Sequence, residues 1–151
     1  MANWRIDGET NRILLRANWE YFLLMKYVVL GASGFIGGVV TRYLRQIDDA
    51  RVIPLSTANI DLRYKPDAAK KLAIYLSNST LIHAAGIPRL RADDMASLKD
   101  NLAINENVLN ACEIAPPERI VFLSSVEVYG SPKKLPISEV TETHPDRLYG
   151  V

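Results

Sequence analysis

Apolar residues along this chain follow two alternating rhythms. Short apolar runs at Tyr27 to Leu30, Arg51 to Ser56, Thr80 to Ala84 and Arg119 to Ser124 read as strands. Between them, apolar positions return every three or four residues, the period of one helix face. From Phe35 to about Gln46 the repeating positions are Ile36, Val39, Val40, Tyr43, Leu44 and Ile47. Pro66 opens a second helix to about Leu76, with Ala68, Ala69, Leu72, Ala73 and Leu76 on its buried side. Asp93 is the expected N-cap of the longest helix, which runs to about Glu113 and stops before Pro116 and Pro117. Its expected face is Leu98, Leu102, Asn105, Leu109 and Cys112. Pro54 in the second strand argues for a place near a sheet edge or at the strand's end. The unbroken apolar middle of the fourth strand, Ile120 to Leu123, suits a strand covered on both faces. Strands alternating with helices of these lengths predict an α/β fold with a parallel sheet and right-handed crossovers.

Residues 1–24 break this rhythm. Trp4 and Trp19, the only tryptophans, stand there among Arg5, Arg12 and Arg16, with no long apolar core of a secretory signal. Met25 and Lys26 come directly before the first strand, as at a natural start, so residues 1–24 are expected to be an extension and residues 25–151 the domain. The competing reading is an amphipathic helix from about Asn11 to Leu24, presenting Ile13, Leu14, Ala17, Tyr21 and Leu24.

Composition changes this picture little. A chain of 151 residues supports one domain with a real core. Eighteen basic and 17 acidic residues leave a net charge of +1, which points to no nucleic-acid surface. No apolar run is long enough to span a membrane. The single cysteine, Cys112, excludes an intrachain disulfide and fits a reducing, cytoplasmic setting. It reads as a small core residue. His83 sits inside an apolar strand without a second histidine or cysteine at ligand spacing, so a satisfied interior histidine is expected and no metal site.

Chemistry concentrates at the strand ends. In Tyr27 to Gly38, YVVLGASGFIGG, a strand runs into Gly31, and Gly34 and Gly37 follow at three-residue intervals before a helix begins. Such a junction suits a pyrophosphate, because the first N–H groups of a helix are unpaired and its dipole favours negative charge. Gly31 permits the turn, Gly34 lets the backbone approach the phosphates, and Gly37 lets the helix lie close to the strand. The same spacing also serves as a plain turn. Ligands of open parallel sheets collect beyond the carboxyl ends of the strands. The other ends are Ser56 and Thr57, Ala84 to Gly86, and Ser124 and Ser125.

Together these residues resemble the extended short-chain dehydrogenase/reductase family, the NAD(P)-dependent epimerases, dehydratases and reductases of nucleotide sugars. The resemblance runs from Lys26 to Val151. GASGFIGG matches the family's glycine loop, and Asp61-Leu62 match its acid-apolar pair against the adenine. LIHAAG at Leu81 to Gly86 matches the segment beside the cofactor's ribose and phosphates. Asn101 falls where the family has an asparagine near the active site. SSVEVYG at Ser124 to Gly130, then Pro136, Glu139 and LYG at Leu148 to Gly150, match the approach to a catalytic tyrosine.

The resemblance implies a Rossmann-type doubly wound parallel sheet, incomplete at its C-terminal side, without a substrate domain. It implies Tyr149 as general acid/base of a YxxxK motif and Ser125 as the hydroxyl bonded to the reacting sugar oxygen. Cofactor contacts are expected from Gly31, Ser33, Gly34, Phe35, Ile36, Gly37, Ser56, Asp61, Leu62, Ala84, Ala85, Gly86, Asn101 and Ser124. A phenol by itself is almost wholly protonated at pH 7, and the family lowers that barrier with a lysine four positions on. This chain stops at Val151, two residues beyond Tyr149. Cofactor binding with little turnover is therefore expected, and a non-catalytic dinucleotide module or an inactive truncated product is the alternative. The partner expected for the complete protein is a nucleotide sugar, and the uncovered side of the fourth strand invites self-association into a homo-oligomer. An NAD-preferring site usually carries an acid at the end of the second strand. Ser56 stands there, so NADP is slightly favoured over NAD, with Arg42 and Arg63 as candidates for its extra phosphate. The short link from the second strand to Asp61 looks like the family's sugar-nucleotide reductases and epimerase-reductases.

Overall fold

The computed structural model describes residues 25–63, 67–132 and 135–151. The two readings of residues 1–24, and Pro66 as a helix start, lie outside the described residues. Among the described residues four strands and three helices alternate: β1 (Met25–Leu30), α1 (Phe35–Leu44), β2 (Ala50–Leu55), α2 (Ala68–Ala73), β3 (Thr80–His83), α3 (Met95–Ile114) and β4 (Arg119–Phe122). Two single-turn 3-10 helices, Val126–Tyr129 and Leu148–Gly150, follow.

All strand pairs are parallel and the sheet order is β2-β1-β3-β4. β2 is an edge strand, which accommodates Pro54 opposite Val29. Among the described residues no strand separates β2 from β3 in sequence, so the compact link after β2 is real. Strand alternation sorts side chains onto the two faces. Val28, Leu30 and Leu81 join Leu72 and Leu76 of the α2 segment and Ile104, Val108 and Ala111 of α3. Val29 and Ile82 join Leu44 on the opposite face, with Val40 and Val52 packed beside them. The sheet is therefore wound on both faces, as expected of a Rossmann-type fold, and the direction of winding reverses between β1 and β3.

Three expectations about burial are overturned. α1 buries Gly37, Thr41 and Leu44, while Ile36, Val39 and Tyr43 are exposed. Gly37 decides this rotation, because a Cβ there would collide with the Gly31 carbonyl oxygen. With Gly37 pressed on the turn, residues four and seven later follow it underneath, and Thr41 Oγ1 donates to the Gly37 carbonyl at 2.7 Å.

α3 likewise turns a different side inward. Ser97, Ile104, Asn107, Val108 and Ala111 are buried, whereas Leu102 and Leu109 are exposed and Cys112 is half-buried at the edge of the core. Packing against α2 and the bond from Asn107 Nδ2 to the Leu62 carbonyl at 2.8 Å hold that face inward. The cap is Asp94, one residue later than expected. Its carboxylate accepts from Ser97 N at 2.8 Å while Ser97 Oγ accepts from Asp94 N at 3.1 Å, a reciprocal capping box.

The third correction concerns β4, which is exposed throughout, with Ile120, Val121 and Phe122 all open on the second edge of the sheet. Its apolar run is that of an interior strand, but only β3 pairs with it among the described residues. The exposed edge expected there is present. No described helix is long and apolar enough to cross a membrane.

Candidate functional site

Two clefts open beyond the carboxyl ends of the strands and meet at Ala85 and Gly86. The larger, about 620 Å³, lies over the β1–β3 junction where the direction of winding reverses. Gly31, Ser33, Gly34, Ser56, Asp61, Leu62, Ala84, Ala85 and Gly86 all line it, so nine expected contacts from four separate segments converge.

The turn that opens it needs its glycines. Gly31 has φ of +77°, and a Cβ there would lie 2.5 Å from the Ala84 carbonyl oxygen. The turn is tied to the neighbouring strands by Ala32 N to the Leu55 carbonyl at 3.0 Å and Ala84 N to the Leu30 carbonyl at 3.1 Å. Gly34 is the N-cap of α1, and neither a side-chain cap nor an acidic residue occupies that first turn. An anion seated there meets free helix amides and no opposing carboxylate. Phe35, Ile36 and Gly37 do not line the cavity. Phe35 is 90% exposed at the helix start, Ile36 is exposed beside it, and Gly37 is buried under the turn.

At the far end of the cavity, β2 gives way to a tight turn that sequence reasoning missed. Asn59 Oδ1 accepts from Ser56 N at 3.0 Å and Ser56 Oγ at 3.1 Å, while Asn59 N donates to the Ser56 carbonyl at 2.9 Å. The S-x-x-N pattern is its signal in the sequence. Asp61 follows, and the Arg63 guanidinium beside it holds its carboxyl below the ordinary carboxylate range against a smaller opposing effect of burial. Arg63 lines the cavity and Arg42 does not; Arg91 lines it too, although nothing in the sequence pattern singled it out.

The smaller cleft, about 170 Å³, brings together Asn101, Ser124, Ser125 and Tyr149. Ser125 Oγ accepts from Glu127 N at 3.2 Å, which leaves its hydroxyl proton to donate elsewhere. Tyr149 sits in the last 3-10 turn, and a Cβ on the following Gly150 would collide with the Glu127 carbonyl oxygen, so the two loops lie in contact. Glu127 also holds Arg89 at 3.1 Å and Arg147 at 4.0 Å, joining the loop after β3 to the segment before Tyr149. Asn101 clamps that same loop, accepting from Ile87 N at 2.8 Å and donating to the Ile87 carbonyl at 3.1 Å.

His83, at the end of β3, is the satisfied interior histidine expected. Its Nδ1 accepts from Ala85 N at 3.3 Å, so the proton is on Nε2 and donates to Asn105 Oδ1 at 3.0 Å. Burial pushes its pKa down, the bond to Asn105 opposes this, and the Phe122 ring lies edge-on 5.2 Å away. Asn105 thus partners a strand residue. No group of acidic, histidine or cysteine side chains able to hold a metal occurs among the described residues.

Comparison with known proteins matches residues 27–151 to the model of the NAD dependent epimerase/dehydratase family. The UDP-glucose 4-epimerase of Streptomyces lividans is 28% identical, over 83% of this chain and 43% of that protein. Among solved structures, a dTDP-4-dehydrorhamnose reductase from Clostridium acetobutylicum superposes with a TM-score of 0.70 at 26% identity, covering 83% of this chain and 45% of that one. The RMD protein of Pseudomonas aeruginosa, solved with NADPH, gives 0.65 at 27% identity, covering 83% and 44%. The chain thus spans less than half the length of each of these three relatives.

Proposed function

The chain belongs to the NAD dependent epimerase/dehydratase family, and from that premise we propose that it carries the cofactor-binding part of an NAD(P)-dependent nucleotide-sugar epimerase, dehydratase or reductase. The observation that carries this reading is the larger cavity: an uncapped helix N-terminus, three strand ends and a carboxylate converge on a volume of about 620 Å³, within the range of cofactor sites. The Gly31–Gly34 turn at the N-terminus of α1, with Ser33, receives the pyrophosphate, Ser56 and Ala84 to Gly86 lie along the ribose, and Asp61 with Leu62 faces the adenine. Asn101 shapes the nicotinamide end by holding the Ile87 loop.

When bound, the cofactor takes or returns a hydride at a sugar carbon. The chain's part is to move the proton on the attached oxygen, which Tyr149 does while the free hydroxyl proton of Ser125 bonds that oxygen. No lysine or arginine lines the smaller cleft among the described residues. This favours binding over turnover for the 151-residue chain. Ser56 places no carboxylate at the end of β2, so a 2′-phosphate meets no repulsion there and NADP is admitted slightly more readily than NAD.

Fluorescence titration of the chain with NADPH and NADH tests the assignment. Saturable binding of at least one is expected, together with hydride exchange on a panel of nucleotide sugars close to background. A folded sample that saturates with neither overturns the cofactor reading.

A further inference from the structure

Arg63 stands where the loop after β2 meets α3, and it engages one carboxylate three times. Its backbone N–H donates to Asp61 Oδ1 at 3.0 Å, its Nε to the same oxygen at 2.9 Å, and its Nη2 to Oδ2 at 2.6 Å. Its Nη1 lies 3.6 Å from Asp100 Oδ2 on α3. Between the two partners, the Leu62 carbonyl is held by Asn107. Asp61, Arg63 and Asp100 all line the larger cavity. A carboxylate offers about four acceptor positions. Arg63 takes three, and the one it leaves is on Oδ2.

We infer that Arg63 determines base specificity at the purine end of the cavity: by locking Asp61 with a single acceptor position to spare, it makes the site select a 6-amino purine over a 6-oxo purine. The inference rests on the reading of this cavity as a dinucleotide site with Asp61 facing the base. A 6-amino purine offers an N–H to the remaining lone pair. A 6-oxo purine puts a carbonyl oxygen there and carries its N–H on the neighbouring ring nitrogen. A carboxylate free to rotate can turn to follow that N–H and accept both bases. The planar guanidinium fork removes the rotation, since both oxygens are held by donors in one fixed geometry. Asp100 steadies the outer end of the same guanidinium. Lysine, a point charge without the fork, keeps the attraction and loses the orientation.

The test compares two probes, NADH and reduced nicotinamide hypoxanthine dinucleotide, which differ only at the 6-position chemistry of the purine. The 151-residue chain is expected to bind NADH at least about 10-fold more tightly, the scale of one hydrogen bond gained against one acceptor left facing another. Arg63→Gln is expected to bring the two affinities within about 2-fold, and Arg63→Lys to lower the ratio also, because neither side chain supplies the fork. Asp100→Asn, which leaves the fork on Asp61 intact and loosens only its outer end, is expected to lower the ratio less than Arg63→Gln does. A merely structural role for Arg63 would weaken both probes alike and leave the ratio unchanged. That result, in a variant that still melts cooperatively, overturns the proposal; if Arg63→Gln does not fold, Arg63→Lys decides it. Equal binding of both probes by the unaltered chain overturns the proposal while leaving the cofactor reading intact. Saturation with neither NADH nor NADPH overturns the cofactor reading and this inference with it.

Discussion

Asn107 shows what a single side chain does for the site. It is 2% exposed, and its amide donates to the Leu62 carbonyl and to the Ala103 carbonyl, tying the Asp61–Arg63 loop to α3. Replacing it with alanine strands a buried carbonyl, so Asn107→Ala is expected to cost about 1–3 kcal/mol in urea unfolding and to weaken NADH binding through the displaced Asp61. Asn107→Ala with unchanged stability would show that the carbonyl finds water instead. His83 belongs to the same scale. Its native pKa lies below the ordinary 6.5, so below about pH 6.5 the unfolded chain takes up a proton that the native imidazole refuses. Stability present above that pH is lost as the pH falls toward the native value. His83→Gln, which does not titrate, is expected to flatten the melting temperature between pH 7.5 and 5.5 relative to the unaltered chain. Carboxylates held low by their partners, Asp61 among them, act only at more acidic pH.

At the scale of elements, the glycine loop separates binding from folding. Gly34 has φ of −79° and ψ of 172°, an extended conformation that any residue adopts, and the nearest atom to an added Cβ is the Gly31 carbonyl oxygen at 3.1 Å. A methyl group there stands at the mouth of the helix amides. Gly34→Ala is therefore expected to lower NADPH and NADH affinity by about 10-fold or more while moving the melting temperature by only a few degrees. Gly37→Ala drives a Cβ into the Gly31 carbonyl and must push α1 off the turn, so it is expected to destabilise the fold itself. Calorimetry beside titration separates the two. The three-residue glycine spacing was enough to place this turn. Which side of α1 faces the sheet was not legible, because Ile36, Val39 and Tyr43 are as apolar as the residues that are buried. The close approach of Gly37 decides it, and no hydropathy pattern records that approach.

For the whole molecule, β4 is the exposed edge of the packing. Ile120, Val121 and Phe122 are each 44–55% exposed along an edge that, among the described residues, pairs only with β3, an arrangement that templates pairing with a further strand. Sedimentation of the chain is expected to show concentration-dependent self-association, and Val121→Lys to reduce it. A strictly monomeric species at every concentration would contradict this. The sequence by itself determined the alternation of strands and helices, the parallel sheet and the residues at each strand's carboxyl end. These follow from local periods and turn chemistry, which neighbouring residues carry. Only the tertiary structure decided the faces of α1 and α3, the capping by Asp94, the clamps made by Asn59 and Asn107, and the locking of Asp61 by Arg63. Each of these depends on which loop meets which helix across the strand ends, a distance in space that the order of residues does not contain.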